Sequence, residues 1–140
     1  FSSFFNMDSL DTFSGGTLST FVHPLIINSL IQVGFSVKKL TKEKNPIYLV
    51  KYSQNKPEIK LFSKKINHIK NPKNNFAAVL TCVSAERKCP IVYGSDIKIT
   101  IAYKDPKQFD DSQIQEQEYL KTCYQIAREM FYVFSSFNNR

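Results

Sequence analysis

The sequence predicts an α/β protein: a parallel sheet with helical crossovers and a β-hairpin inserted in the middle of the chain. Three observations predict it. Phe76 to Thr81 is a continuous apolar run of strand length, the pattern of a strand covered on both faces in a parallel sheet. Ile97, Ile99, Ile101 and Tyr103 alternate with Lys98, Thr100 and Ala102, the pattern of a half-buried strand. Segments of helical periodicity lie on both sides of these strands, and strand and helix in alternation imply a sheet with flanking helices.

Taken in order, Phe1, Phe4 and Phe5 are spaced like the tail of an amphipathic helix. Ser9 to Ser14 alternates as a short strand, which Gly15-Gly16-Thr17 breaks. From His23 to Val33, Leu25, Ile26, Leu30 and Val33 follow helical spacing. Pro24 stands in the first turn and Gly34 just past the end, where a left-handed cap is sterically allowed. Residues 46–52 and 58–63 have period-two patterns separated by Ser53-Gln54-Asn55-Lys56-Pro57, a turn composition, and predict the hairpin. Ser112 and Gln115 fit a capping box that opens the longest helix. Its apolar stripe runs through Leu120, Cys123, Tyr124, Ala127, Met130, Phe131, Phe134 and Phe137.

A length of 140 residues with 42% hydrophobic content predicts one domain spanning 1–140 with a core of its own. No apolar run approaches the roughly 20 residues needed to cross a bilayer; even Phe21 to Phe35 is interrupted by His23, Pro24, Asn28, Ser29 and Gln32. The first residues lack the basic start and apolar core of a signal peptide. Three cysteines, an odd number, favour a reducing compartment over a disulfide framework, so the expected location is cytoplasmic with no membrane partner. The net charge of +7 comes largely from lysines scattered between Lys38 and Lys73. That distribution reads first as a solvated surface rather than a nucleic-acid footprint.

Chemistry is concentrated around three residues. Cys82 follows the apolar run and precedes Ser84-Ala85-Glu86-Arg87-Lys88, a segment of helical propensity whose N-terminal partial charge favours thiolate. In a regular helix, Cys82 and Cys89 would have Cα atoms about 10.5 Å apart, beyond the about 7 Å that a disulfide tolerates. Their oxidation therefore requires the segment to unwind. On spacing alone, two inert half-buried thiols that flank a turn are the first reading. Asp105 stands at a strand end, where Pro106 restricts its backbone. An Asp-Pro pair is in most cases a turn; as a functional group, this carboxyl is a general acid. Zinc is disfavoured, because the cysteine spacing is too wide and neither His23 nor His68 has a ligand partner nearby in sequence. No other cofactor is implied. Cys123 falls on the apolar face of the last helix, as a small core residue does.

Five segments, in this order, carry a resemblance: Phe13-Ser14-Gly15-Gly16-Thr17, residues 75–82, Cys89-Pro90-Ile91-Val92, Tyr103-Lys104-Asp105-Pro106-Lys107 and residues 125–134. Together they resemble the low-molecular-weight protein tyrosine phosphatase family, especially its branch of thioredoxin-coupled arsenate reductases. The similarity runs from about Asp11 to Phe134. The resemblance implies a three-layer fold with a four-stranded parallel sheet and a nucleophilic cysteine in a Cys-x5-Arg loop after the first strand. It implies Asp105 as general acid, Ser14 as support for the phosphate loop, and Cys82 and Cys89 as a redox relay to thioredoxin. The implied substrate is a phosphate- or arsenate-type oxyanion.

Two departures stand beside it. The segment between Cys82 and Cys89 is net basic, where the family carries acidic residues, and no Cys-x5-Arg occurs in the 140 residues. The resemblance places the first, central strand and its loop before Phe1, so the chain reads as N-terminally truncated and by itself inactive or nearly so. The alternative is a non-catalytic binding module that engages an anionic partner through the basic hairpin, residues 46–63.

Overall fold

The computed structural model describes residues 1–7, 10–81 and 91–138. The chain folds into two compact units, residues 13–105 and residues 1–12 with 106–140. The protein is a mixed α/β protein with an antiparallel and a parallel sheet.

In the unit of residues 13–105, helix α1 is Pro24–Gln32. Pro24 occupies the first helical position, where its missing N–H costs no helical bond. The His23 ring accepts a hydrogen bond from the Leu25 N–H at 3.3 Å. At the other end Gly34 takes φ +98°. Its N–H donates to the Ile31 carbonyl and the Phe35 N–H donates to Leu30, both at 3.0 Å, which is the Schellman pattern predicted by the glycine. The buried face is narrower than the apolar spacing implies. Leu25 and Ser29, one turn apart, are buried against strand β1, Ser36–Lys39, while Ile26 is exposed.

Strands β2, Tyr48–Lys51, and β3, Ile59–Leu61, form the predicted hairpin, with Leu49 opposite Lys60. Strand β1 adds to the other edge of β2, antiparallel, with Val37 opposite Val50. Ser36-Val37-Lys38-Lys39 contains a single apolar residue, so no period-two signal marks it; its place is set by the pairing.

Strand β4, Ala77–Leu80, pairs in parallel with β5, Ile97–Thr100, in the register Ala77↔Ile97 to Leu80↔Thr100. The parallel pairing agrees with expectation and the burial does not. Only Ala78 of β4 is buried, and every residue of β5 is exposed, including Ile97 at 58%. Among the described residues of this unit no other helix or strand packs on this pair. Burial resumes beyond the strands, at Val92 and Tyr103. Before β5, Gly94 takes φ +77°, and a Cβ there would collide with the Lys73 carbonyl, so only glycine fits that turn.

The expected strand at 9–14 does not form in its described part, residues 10–14. These residues have no ladder partner, and the chain is held instead by a single parallel bridge between Gly16 and Lys65.

In the second unit, Phe1 to Asn6 makes one turn, closed by the Phe5 N–H donating to the Phe1 carbonyl at 3.0 Å and ended by Asn6 at φ +57°. No helix forms over residues 1–7, but the aromatic spacing serves packing. The Phe1 ring meets Phe131 edge-on at 5.8 Å and Phe5 meets Phe131 at 5.3 Å. Helix α2, Gln115–Asn138, follows a short 3-10 helix, Pro106–Phe109. It starts three residues after Ser112, and the capping box is replaced. The Ser112 hydroxyl donates back to the Phe109 carbonyl at 2.6 Å, and the Gln115 side chain accepts from the Asp111 N–H at 3.2 Å. Leu120, Cys123, Ala127, Met130 and Phe134 form the half-buried stripe, whereas Tyr124, Phe131 and Phe137 are exposed. Tyr119 is buried and donates its hydroxyl to Asp110 Oδ1 at 2.8 Å.

Candidate functional site

Ser14 opens a double-glycine corner that packs tightly on the chain segment following β3. The Gly16 N–H donates to the Lys64 carbonyl and the Ile66 N–H donates to the Gly16 carbonyl, each at 2.9 Å. A Cβ on Gly15 would lie 2.6 Å from the Ile66 Cα, so backbone meets backbone only because that position has no side chain. Asn71 locks the corner from beneath. It is 7% exposed, and its Nδ2 donates to the carbonyls of Ser14 at 3.1 Å and Ile66 at 3.0 Å. Residues 65–71 are folded to present it, with the His68 N–H donating to Lys65 and the Asn71 N–H donating to His68.

Ser63 is fastened on the same stretch of chain. The Asn45 side chain accepts from the Ser63 N–H at 3.1 Å and donates to the Ser63 carbonyl at 2.7 Å, as a neighbouring strand would. The Ser63 hydroxyl accepts from the Thr20 N–H at 3.0 Å.

Above the corner lies a basic cluster organised by one aromatic ring. Lys64 Nζ stands 5.3 Å and Lys70 Nζ 5.4 Å from the centroid of Phe62, distances at which the ring face attracts a cation. The His68 ring meets Phe62 edge-on at 5.6 Å, and its Nδ1 accepts from the Lys70 N–H at 3.2 Å. Lys64 Nζ donates to the Ser14 hydroxyl oxygen at 3.2 Å. Partial burial, and then the neighbouring Lys70 charge, push the Lys64 pKa below the ordinary lysine value.

Of the predicted site residues, Ser14 is exposed, at this corner, in contact with Lys64 and Asn71. Asp105 is half-buried in the coil that follows β5 and directly precedes the 3-10 helix. Cys82 and Cys89 lie outside the described residues. The chain on either side of them is described: β4 runs to Leu80, and the ladder continues as the Ile101 N–H donates to the Leu80 carbonyl at 2.9 Å. Because β4 and β5 are parallel, Thr81 and the segment leading to Asp105 leave the sheet at one end, the end where open α/β sheets bind ligands. Cys123 is half-buried, and burial pushes its thiol pKa up, as befits a packing residue.

Phe62, Lys64, Lys70 and Asn71 are the residues that sequence reasoning missed. The signal available was an aromatic residue directly before Ser63-Lys64-Lys65, with a second lysine and a histidine within the next few positions. Among the described residues no group of three His, Cys, Asp or Glu side chains is disposed to hold a metal ion. A shallow depression of about 220 Å³ beside the hairpin is lined by Gly34, Ser36, Lys51, Tyr52, Ser53 and Gln54, none of them a predicted site residue. No described helix is long and apolar enough to cross a membrane. No protein-family model, curated protein or solved structure gives a match to this chain.

Proposed function

We propose that the chain carries the general-acid and redox parts of a low-molecular-weight tyrosine phosphatase or arsenate reductase-like domain with the three-layer sheet of that family. The observation that carries this reading is the parallel pairing of β4 and β5. It sends the residue before Cys82 and the segment that ends in Asp105 out of the same end of the sheet. A thiolate relay and a proton donor have to reach one oxyanion, and this topology supports their doing so.

In the phosphatase form, a cysteine in a Cys-x5-Arg loop attacks phosphorus, and the Asp105 carboxyl gives its proton to the leaving oxygen. In the reductase form, that cysteine thiolate attacks arsenic, and one arsenate oxygen, protonated, leaves as water as the S–As bond forms. The Cys82 thiolate then attacks the cysteine sulfur, and the S–As electron pair goes to arsenic, which leaves as arsenite. Arsenic(V) is thereby reduced by two electrons as two thiols become a disulfide. Cys89 takes over the bond to Cys82 by thiolate exchange, and thioredoxin reduces the resulting Cys82–Cys89 disulfide. The 140 residues contain no Cys-x5-Arg, and this reading requires such a loop as its nucleophile.

The test uses the chain extended at its N-terminus by a strand and a Cys-x5-Arg loop. Hydrolysis of an aryl phosphate that falls about 10²–10⁴-fold in Asp105→Asn supports the general acid. Arsenate-dependent oxidation of thioredoxin that is lost in Cys82→Ser and in Cys89→Ser supports the relay. Unchanged rates in all three variants would sink the proposal.

A further inference from the structure

The lysines of the basic cluster belong to none of the roles assigned above, and Ser14 is the one residue the cluster shares with them. We propose that Lys64 and Lys70, both at the Phe62 ring, with the Ser14 hydroxyl beside Lys64, form a binding site for a small tetrahedral oxyanion such as phosphate or sulfate. The site stands on the geometry of residues 13–105 alone and does not depend on the thiol chemistry.

Three observations converge on it. Two ammonium groups share one aromatic ring, and among the described residues neither has a carboxylate partner. The Lys70 charge acts on Lys64 as a like charge, and an anion bound beside Lys64 relieves that repulsion. The Ser14 hydroxyl already accepts from Lys64 Nζ. Its own proton has no acceptor among the described residues, which leaves an O–H donor beside an ammonium, the pairing that tetrahedral oxyanions take.

The third observation is rigidity. Flexible surface lysines bind anions poorly because ordering them costs side-chain entropy. Here much of that ordering is done in advance. Lys64 is held by the Ser14 hydroxyl and the Phe62 face, its backbone by the Gly16 bridge, and the loop beneath by Asn71. The Lys70 backbone is held by His68. Lys38 and Lys39, on the edge strand β1, have none of these supports and serve as the internal control.

The experiment is an NMR titration of the 140-residue chain with sodium phosphate and with sodium sulfate, against sodium chloride at matched ionic strength. Saturable shifts at the amides of Ser14, Gly15 and residues 64–71, with phosphate and sulfate but not chloride, are expected. Lys64→Gln/Lys70→Gln should weaken binding at least about tenfold, Lys64→Arg should retain it, and Lys38→Gln/Lys39→Gln should leave it unchanged. Ser14→Ala, which keeps both ammonium groups, should weaken it by a smaller factor. Overturning results are shifts that do not saturate, shifts of equal size with chloride, or equal weakening by the Lys38/Lys39 and Lys64/Lys70 pairs. Because no readout involves a thiol, loss of this site leaves the phosphatase reading standing, and failure of the relay leaves this site standing.

Discussion

Two regions of residues 13–105 hold together in opposite ways. At the Ser14–Gly16 corner, the hydrogen bonds run from polar side chains or backbone groups to partners far away in sequence. Asn71 bridges to Ser14, Lys64 to Ser14, and Asn45 to Ser63. In the β4–β5 pair the backbone ladder does the holding, and the side chains that should form a core are in solvent. A ladder alone is weak, since an isolated pair of strands is at best marginally stable. The corner is therefore the more sharply specified of the two, although it contains no regular secondary structure.

The largest expected effect tests the corner. Asn71→Ala removes a buried amide bonded to the Ser14 and Ile66 carbonyls, and unfolding by denaturant should show a loss of about 2 kcal/mol. Gly15→Ala should cost about 1–3 kcal/mol, because the new Cβ has to displace the Ile66 backbone. Stabilities within experimental error of the parent would show that the corner is not a unit.

The next effect is electrostatic. With its pKa lowered first by burial and then by Lys70, Lys64 should lose its proton below the ordinary lysine value in competitive acetylation. The sign for stability follows. The folded pKa lies below the unfolded one, so the protonated group opposes folding, and that penalty fades as pH rises through the lowered value. Lys70→Gln should move the titration only part of the way back, because burial is the larger cause. A Lys64 that titrates at the ordinary lysine value would remove the crowding on which the oxyanion site draws.

The smallest effect belongs to the pair. Ile97→Thr and Ile99→Thr should each change stability by less than about 0.5 kcal/mol, as exposed positions do. A loss several times larger would mean that a cover lies over β5 in solution, and would bring the two regions closer in kind.

Much of the local structure is legible in the residues. Pro24 and Gly34 mark the ends of α1 because a missing N–H and a positive φ are properties of single residues. The hairpin is legible because its turn lies between two alternating runs. Strand β1 is not, because Ser36–Lys39 carries no apolar pattern and forms by pairing to β2. The capping-box pattern at Ser112 misleads, since a serine hydroxyl can serve the preceding carbonyl as readily as the following N–H. Of the candidate site, Ser14 and Asp105 are legible as residues, but their partners are not. Lys64 and Asn71 lie some fifty residues or more from Ser14, and nothing in local pattern links them.

The sequence by itself determined where α1 starts and stops, where the hairpin turns, and that strands run through 77–80 and 97–100, because dihedral preference and periodicity act over a few residues. Only the tertiary structure decided that Ile97 and Ile99 face water and that the double glycine closes on Asn71. It also decided that two lysines meet over Phe62. Burial and charge proximity are set by what arrives from elsewhere in the chain, and a linear pattern holds no record of that arrival.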